Sequence, residues 1–145
     1  MFRHILIPTD GSPLSTMAVE KASALAAAVG ARITVLTIVE PFHIWTDNAN
    51  QLAYTREEYE RVSKETAATY LDNAAALAMR LGVTCDTVSI EADEPYRAII
   101  DTAGERGCDL VAMASHGRRG VAALVLGSET TKVLTHSSIP VLVYR

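Results

Sequence analysis

Residues 4–13 read His4-Ile5-Leu6-Ile7-Pro8-Thr9-Asp10-Gly11-Ser12-Pro13, and this stretch decides the fold. Its first half is a short apolar run, which is typical of a strand buried on both faces of a sheet. Its second half is a helix start, because Ser12 is a fitting N-cap and Pro13 a fitting first helical residue. A buried strand that leads directly into a helix opens a βαβ unit, so we expect a parallel sheet.

The same alternation of β-branched runs and Ala-rich helical patterns continues to the end of the chain. It predicts strands at residues 4–8, 32–39, 84–90, 110–114 and 141–144. It predicts helices at residues 13–29, from a capping box at 55–58 to about 81, from 95 to a stop at Gly107, and at about 128–136. With right-handed crossovers these elements form an α/β fold, a three-layer α/β/α sandwich around a five-stranded parallel sheet.

Residues 40–54 interrupt this alternation, because they show no clear hydrophobic period. A segment of this length favours a lid or a surface loop. Two interpretations of its aromatic residues stay open. Phe42, Trp45 and Tyr54 either cover a bound base or anchor the loop to the rest of the domain.

The composition fits one domain over residues 1–145, since 49% of the residues are hydrophobic and can supply a core. A formal net charge of −4 argues against a nucleic-acid-binding protein, which needs a concentrated basic face. Cys85 and Cys108 form no close pair or metal-ligand cluster, so we expect reduced thiols. No apolar run approaches the roughly 18 residues of a membrane span, and no leader pattern opens the chain. We therefore expect a soluble, cytoplasmic protein.

Two loops are predicted to meet at the carboxyl edge of the sheet, where ligands bind at the reversal of strand order. One follows strand one and carries Asp10. The other follows strand four and offers Gly117 and Gly120, whose backbone can approach an anion closely, and then Gly127-Ser128 at a helix start. Ser128 is expected to cap this helix and to donate to a phosphate. The alternative is that the glycines only shape a turn and Ser128 only caps.

Asp10 is a candidate ligand-binding residue on separate grounds. Because Ser12 accounts for the helix cap, the Asp10 carboxylate is expected to be free to accept from ribose hydroxyls or to hold Mg²⁺. The alternative is an ordinary turn aspartate that bonds its own backbone.

The sequence does not favour an enzyme with rapid turnover. His116 lies in the second loop with no carboxylate or nucleophile placed beside it, so a contact to solvent or phosphate is the preferred interpretation. The chain has no Gly-x-x-x-x-Gly-Lys-Ser/Thr loop, so efficient NTP hydrolysis is not expected. Slow ATP hydrolysis is the most that we expect, and a flavodoxin-like redox carrier is a further alternative.

The spacing around Gly117 resembles the universal stress protein family. Nucleotide-binding members of that family show Gly-x-x-Gly, nine further residues, and then Gly followed by Ser or Thr. Here nine residues separate Gly117 from Gly127-Ser128, and Ala114 takes the place of the first glycine. The resemblance extends over the whole chain, through residues 5–12, 109–113 and 139–143.

This resemblance implies the strand order 3-2-1-4-5 of the adenine nucleotide alpha hydrolase-like fold. It also implies ATP or AMP as the ligand, with Mg²⁺ at Asp10 as an option, and nucleotide-dependent association or regulation in a stress response as the function. Adenosine is expected near Ile38 and Met113, and the phosphates near the loop after strand four. The predicted binding residues are Pro8, Thr9, Asp10, Ile38, Met113, Ala114, His116, Gly117, Arg118, Gly127, Ser128 and Glu129.

The last strand is expected at a sheet edge, and exposed edges invite pairing with another chain. In the resembling family the corresponding strand mediates dimers. The resemblance therefore implies a homodimer through Val141, Leu142, Val143 and Tyr144, with a higher oligomer as an option. The alternative function is a protein that binds no nucleotide and acts only through this dimer surface, and Ala114 is its best support.

Overall fold

The first strand and helix form where residues 4–13 predict them. In the computed structural model, which describes residues 1–117 and 125–145, strand β1 spans His4–Pro8 and helix α1 spans Pro13–Val29. Ser12 is the N-cap of α1, and its side chain accepts a hydrogen bond from the Ser15 backbone N–H at 3.2 Å. Pro13 is the first helical residue, where a missing N–H removes no bond within the helix.

The other elements follow in chain order. They are β2 at Arg32–Val39, α2 at Ala49–Leu52, α3 at Arg56–Arg80, β3 at Cys85–Glu91, α4 at Pro95–Glu105, β4 at Leu110–Ala114, α5 at Ser128–His136 and β5 at Val141–Tyr144. Among the helices that the structure describes, none has the length and apolar character needed to cross a membrane.

All five strands pair in parallel in one sheet of order β3-β2-β1-β4-β5, which confirms the predicted fold class and strand order. The central strand β1 pairs on one side with β2, in the register Ile5↔Ile33, and on the other side with β4, in the register Ile5↔Leu110. The strand order therefore reverses between β1 and β4. A crevice opens at this point, beyond the carboxyl ends of these two strands.

Side chains of β1 alternate between two hydrophobic cores. Ile5 and Ile7 pack on one face of the sheet with buried residues of α1 and α3, including Val19 and Leu71. Leu6 packs on the other face with buried residues of α4 and α5, including Ile99 and Val133. A strand with a helical layer on each face must be apolar at every position. This explains the unbroken apolar run that opens the chain.

The sheet has two edge strands, β3 and β5. The edge position of β5 agrees with the sequence prediction, and the strand is half-buried to exposed along its length. β3 begins and ends one residue later than predicted, because its pairing with β2 continues as far as Val39↔Glu91. The register of a neighbouring strand, which sequence patterns do not encode, decides where this strand stops.

Residues 40–54 are more ordered than their sequence indicates, because they contain the one-turn helix α2. Gln51, with 1% of its surface exposed, accepts from the His43 backbone N–H at 2.8 Å and donates to the Pro41 carbonyl at 2.9 Å. The Tyr59 hydroxyl donates to the Glu40 carbonyl at 2.6 Å. A buried amide side chain therefore ties the segment to its own backbone.

Cys85 and Cys108 are free thiols on opposite faces of the sheet. Cys85 packs against the core beneath α1 and α3, whereas Cys108 is part of the core beneath α4 and α5. Burial raises the pKa of Cys108 to about 11 and also raises the pKa of Cys85. Both thiols therefore stay protonated and weakly nucleophilic at neutral pH.

Candidate functional site

A cavity of about 640 Å³ lies at the carboxyl edge of the sheet. This volume is within the range of pockets that hold small molecules and cofactors. Every predicted binding residue that the structure describes lines it: Pro8, Thr9, Asp10, Ile38, Met113, Ala114, His116, Gly117, Gly127, Ser128 and Glu129. Arg118, which was also predicted, and Gly120 lie outside the described residues.

The cavity also has lining residues that the sequence interpretation missed. They are Ser15, Leu36, Glu40, Ala92, Asp93, Pro95, Ile99, Val125, Leu126 and Thr130. Ala92, Asp93 and Pro95 follow β3, whose carboxyl end points to the same edge of the parallel sheet. Loops that follow parallel strands lie at the carboxyl edge of the sheet, and this rule placed the loops after strands one and four there. The same rule could have predicted the loop after β3 at this edge.

The Asp10 carboxylate is engaged at the start of α1, and the expectation that it is free is wrong. Its Oδ1 accepts from the Ser12 backbone N–H at 3.0 Å and from the Ser15 hydroxyl at 2.9 Å. The Ser15 hydroxyl also lies 3.1 Å from the Thr9 hydroxyl, and both residues are buried. Asp10 therefore makes the turn contacts of the alternative interpretation. These contacts hold its carboxylate in one orientation toward the cavity.

Gly117 approaches Asp10 from the other side of the strand-order reversal. A Cβ atom on Gly117 would collide with Asp10 Oδ2. The backbone after β4 therefore reaches the turn after β1 only because residue 117 has no side chain. The two predicted loops do meet, and their meeting point is this pair of residues.

Gly127, and not Ser128, is the N-cap of α5. The Gly127 N–H donates to the Ser115 carbonyl at 2.8 Å, and a Cβ on Gly127 would lie 3.1 Å from His116 Cα. A side chain at this N-cap would need the neighbouring backbone to give way by a few tenths of an ångström. Ser128 is instead the exposed first residue of the helix, so the predicted capping role of its hydroxyl is wrong.

Ala114 ends β4 in a conformation that needs no glycine. Among the described residues, all those with positive φ are glycines, so the Ala114 methyl group imposes no backbone strain. Its carbonyl accepts from the buried Thr130 hydroxyl at 3.0 Å, which ties β4 to α5. The substitution at the first motif position is compatible with the fold of the loop.

The side chain of Glu129, one of the predicted binding residues, has a partner in another helix. Its carboxylate Oε2 accepts from the Tyr96 backbone N–H at 2.9 Å. Tyr96 is the second residue of α4. The carboxylate therefore binds the amino-terminal end of a helix other than its own.

The polar part of the described lining is acidic. It contains the carboxylates of Asp10, Glu40, Asp93 and Glu129, and it contains no Lys or Arg among residues 1–117 and 125–145. His43 Nε2 lies 2.7 Å from Asp93 Oδ1 at the surface. In these same residues, no group of three or more potential metal ligands occurs. Mg²⁺ at Asp10 stays a prediction.

The apolar part of the lining includes Leu36, Ile38, Ile99 and Met113, and these side chains belong to the core beneath α4 and α5. None of the three loop aromatics is among the described lining residues: Trp45 is 93% exposed, and Phe42 packs on Tyr59 with ring centroids 5.5 Å apart. These aromatic residues therefore give no support to a lid over a base, whereas the packing of Phe42 on Tyr59 fits the anchoring interpretation. The site can hold a ligand with a flat apolar part and a polar part.

The comparisons with known proteins match this chain over 99–100% of its length. A family model described as the universal stress protein family matches residues 1–145. Universal stress protein YxiE of Bacillus subtilis is 30% identical, and the match covers 100% of both chains. The solved structure of protein MJ0577 of Methanocaldococcus jannaschii has a TM-score of 0.81 at 24% identity, covering 99% of this chain and 95% of that one. A universal stress protein solved in complex with cAMP has a TM-score of 0.74 at 25% identity, covering 99% of this chain and 97% of that one.

Proposed function

The chain belongs to the universal stress protein family, and from this premise we propose that it binds an adenine nucleotide, ATP or AMP, in the cavity at the strand-order reversal. One observation carries the proposal: the cavity brings Asp10 from the turn after β1 against Gly117 and Gly127 from the segment after β4. The cAMP complex of a related protein supports an adenine nucleotide as the ligand class. Bound nucleotide then regulates association with partners, to the extent that it binds one state of the protein better.

Adenine is proposed to enter the apolar side of the cavity, between Ile38 and Met113. Leu36 and Ile99 extend this side, and all four side chains are held by the core below them. Removing the faces of a base from water there contributes about 25 cal/mol per Å² of apolar surface. Side chains anchored in a core also lose little freedom when the ligand arrives.

Ribose is proposed to bind Asp10. A carboxylate has about four acceptor positions, so Asp10 can accept from ribose hydroxyls while it keeps the hydrogen bonds from Ser12 and Ser15. Those two hydrogen bonds fix the rotamer before the ligand binds. The turn contacts that rule out a free carboxylate therefore support a preorganised one.

The phosphates are proposed to lie at the amino-terminal end of α5, beside Gly127 and Ser128. The first N–H groups of a helix lack partners within it and favour an anion. Ser128 is exposed there and lines the cavity, so its hydroxyl is placed to donate. Arg118 is proposed to add positive charge, on the basis of its position in the sequence.

The proposal is tested by denaturing the purified protein and identifying the released small molecules by mass spectrometry, together with calorimetric titration of ATP and AMP with and without Mg²⁺. We expect an adenine nucleotide in the extract or a saturable heat in the titration. If the folded protein yielded no adenine nucleotide in the extract and no saturable heat in the titration, the proposed function would be rejected. A released flavin would instead support the redox-carrier alternative.

Replacing Ala114 by glycine distinguishes nucleotide binding from the interaction-only alternative. Because Ala114 has an ordinary strand conformation, we expect AMP affinity to change by less than about twofold, while the added chain entropy lowers stability by roughly 0.5–1 kcal/mol. Calorimetry measures the first quantity and urea denaturation the second. If the wild-type chain bound no nucleotide and the Ala114→Gly chain bound AMP, the interaction-only alternative would be established.

A homodimer through β5 stays a prediction. What supports it is the edge position of the strand, where backbone groups on its outer side have no neighbouring strand in the described sheet. Leu142 on this strand is 36% exposed. A two-fold antiparallel pairing of two copies would satisfy both edges.

A further inference from the structure

The contact between Glu129 and Tyr96 supplies a cap that α4 lacks. The N-cap residue of α4, Glu94, pairs with the Arg97 side chain and makes no side-chain capping hydrogen bond to the first backbone N–H groups of the helix. Glu129 Oε2 instead accepts from the Tyr96 backbone N–H at 2.9 Å, from the first turn of α5. One carboxylate therefore lies at the positive ends of two helices, its own and α4.

These two helix starts form two walls of the same cavity. Ala92, Asp93 and Pro95 lead into α4, and Gly127 and Ser128 lead into α5. The Glu129–Tyr96 hydrogen bond joins the two walls directly. Hydrogen bonds to an ionised group are stronger than neutral ones, so this contact adds to the core packing that holds the two walls together.

The same carboxylate puts a negative charge next to the proposed phosphate contacts. The described lining already holds three other carboxylates and no Lys or Arg. Lys132 Nζ lies 3.5 Å from Glu129 Oε1, but both side chains are substantially exposed, so this pair screens the charge only in part. Each added phosphate of a ligand therefore meets more repulsion from Glu129.

Building on the proposed function, we propose that Glu129 is a positioning residue that also limits the phosphate charge of the ligand. Its hydrogen bond to Tyr96 holds the wall beside the nucleoside. Its charge weakens the binding of ATP more than that of AMP, and the binding of AMP more than that of adenosine.

Two variants separate the hydrogen bond from the charge. Glu129→Gln keeps an acceptor oxygen for the Tyr96 N–H and removes the charge, whereas Glu129→Ala removes both. By calorimetry at low salt, we expect Glu129→Gln to strengthen ATP binding by about two- to fivefold, the size of one partly exposed charge–charge interaction, and to change adenosine affinity much less. Glu129→Ala should weaken adenosine binding, and Glu129→Gln should restore it.

Glu105→Gln is the matched control, because Glu105 ends α4 at an exposed position outside the cavity lining and the substitution changes the net charge equally. Equal affinity changes for all three ligands in Glu129→Gln, or the same ATP gain in Glu105→Gln, would overturn the charge role. Lys132→Gln should act in the opposite direction and weaken ATP binding.

The hydrogen bond is tested without any ligand. By NMR, the Tyr96 amide should exchange with solvent faster in Glu129→Ala and at the wild-type rate in Glu129→Gln. An amide equally protected in all three chains would overturn the positioning role. If the wild type binds none of the three ligands, the proposed function and the charge role fail together, while the amide exchange still decides the role of the contact.

Discussion

Replacing Gly117 by alanine is expected to weaken AMP and ATP binding by one to two orders of magnitude while the protein stays folded. The new Cβ would collide with Asp10 Oδ2. Asp10 is held by Ser12 and Ser15, so either its carboxylate leaves these hydrogen bonds or the loop after β4 moves outward. Overpacking of this kind costs roughly 1–3 kcal/mol, and each 1.4 kcal/mol is about a tenfold change in affinity.

Calorimetric titration measures the loss, and circular dichroism checks the fold. Gly104→Ala is the matched control, because Gly104 lies within α4 and a Cβ there meets no atom within 4 Å. This control should bind as the wild type does and gain up to about 1 kcal/mol of stability from helix propensity. Wild-type affinity in Gly117→Ala would show that the approach of Gly117 to Asp10 does not form the ligand site.

Replacing Gly11 by alanine should reduce stability more than any other change considered. Gly11 has a φ of 73°, which alanine adopts at a cost of about 1–2 kcal/mol. A Cβ there would also overlap the ring of Tyr70 in α3, which adds an overpacking cost of roughly 1–3 kcal/mol. The sum, roughly 2–5 kcal/mol, is a large part of the 5–15 kcal/mol that stabilises a typical domain. Urea denaturation measures it as a lower midpoint.

Gly30→Ala isolates the backbone part of this loss. Gly30 has a φ of 72° at the end of α1, and a Cβ there meets nothing within 4 Å. Its loss of stability should be only the backbone cost of about 1–2 kcal/mol. Adding Tyr70→Ala to the Gly11→Ala chain should cost less than it does in the wild type, since the collision is removed. If Gly11→Ala and Gly30→Ala lost equal stability, the contact with Tyr70 would not be the cause.

Local sequence was sufficient where a few adjacent residues decide a conformation. Ser12 and Pro13 start α1 at the predicted residue, and the apolar run of β1 correctly indicated burial on both faces. Residues 40–54 were harder, because α2 depends on the buried Gln51 side chain and its bonds to backbone at His43 and Pro41. A polar residue in a loop has no pattern that predicts such burial.

For the candidate site as well, the sequence could predict some features and not others. The sequence could indicate which loops line the cavity, since parallel strands deliver their carboxyl ends to one edge. It could not predict that Asp10 accepts from Ser15, or that the cap of α5 falls on Gly127 and not on Ser128. Both outcomes depend on side-chain volume and on close backbone packing between separate segments.

By itself, then, the sequence determined the alternation of strands and helices, the parallel sheet and the sheet edge that carries the candidate site, because hydrophobic period and helix caps act within a few residues. Only the tertiary structure decided that Gly117 faces Asp10 and that Glu129 caps α4. The physical reason is that these contacts join segments far apart in the chain. Their geometry is decided by how β1, β4 and the helices above them pack, which no local pattern encodes.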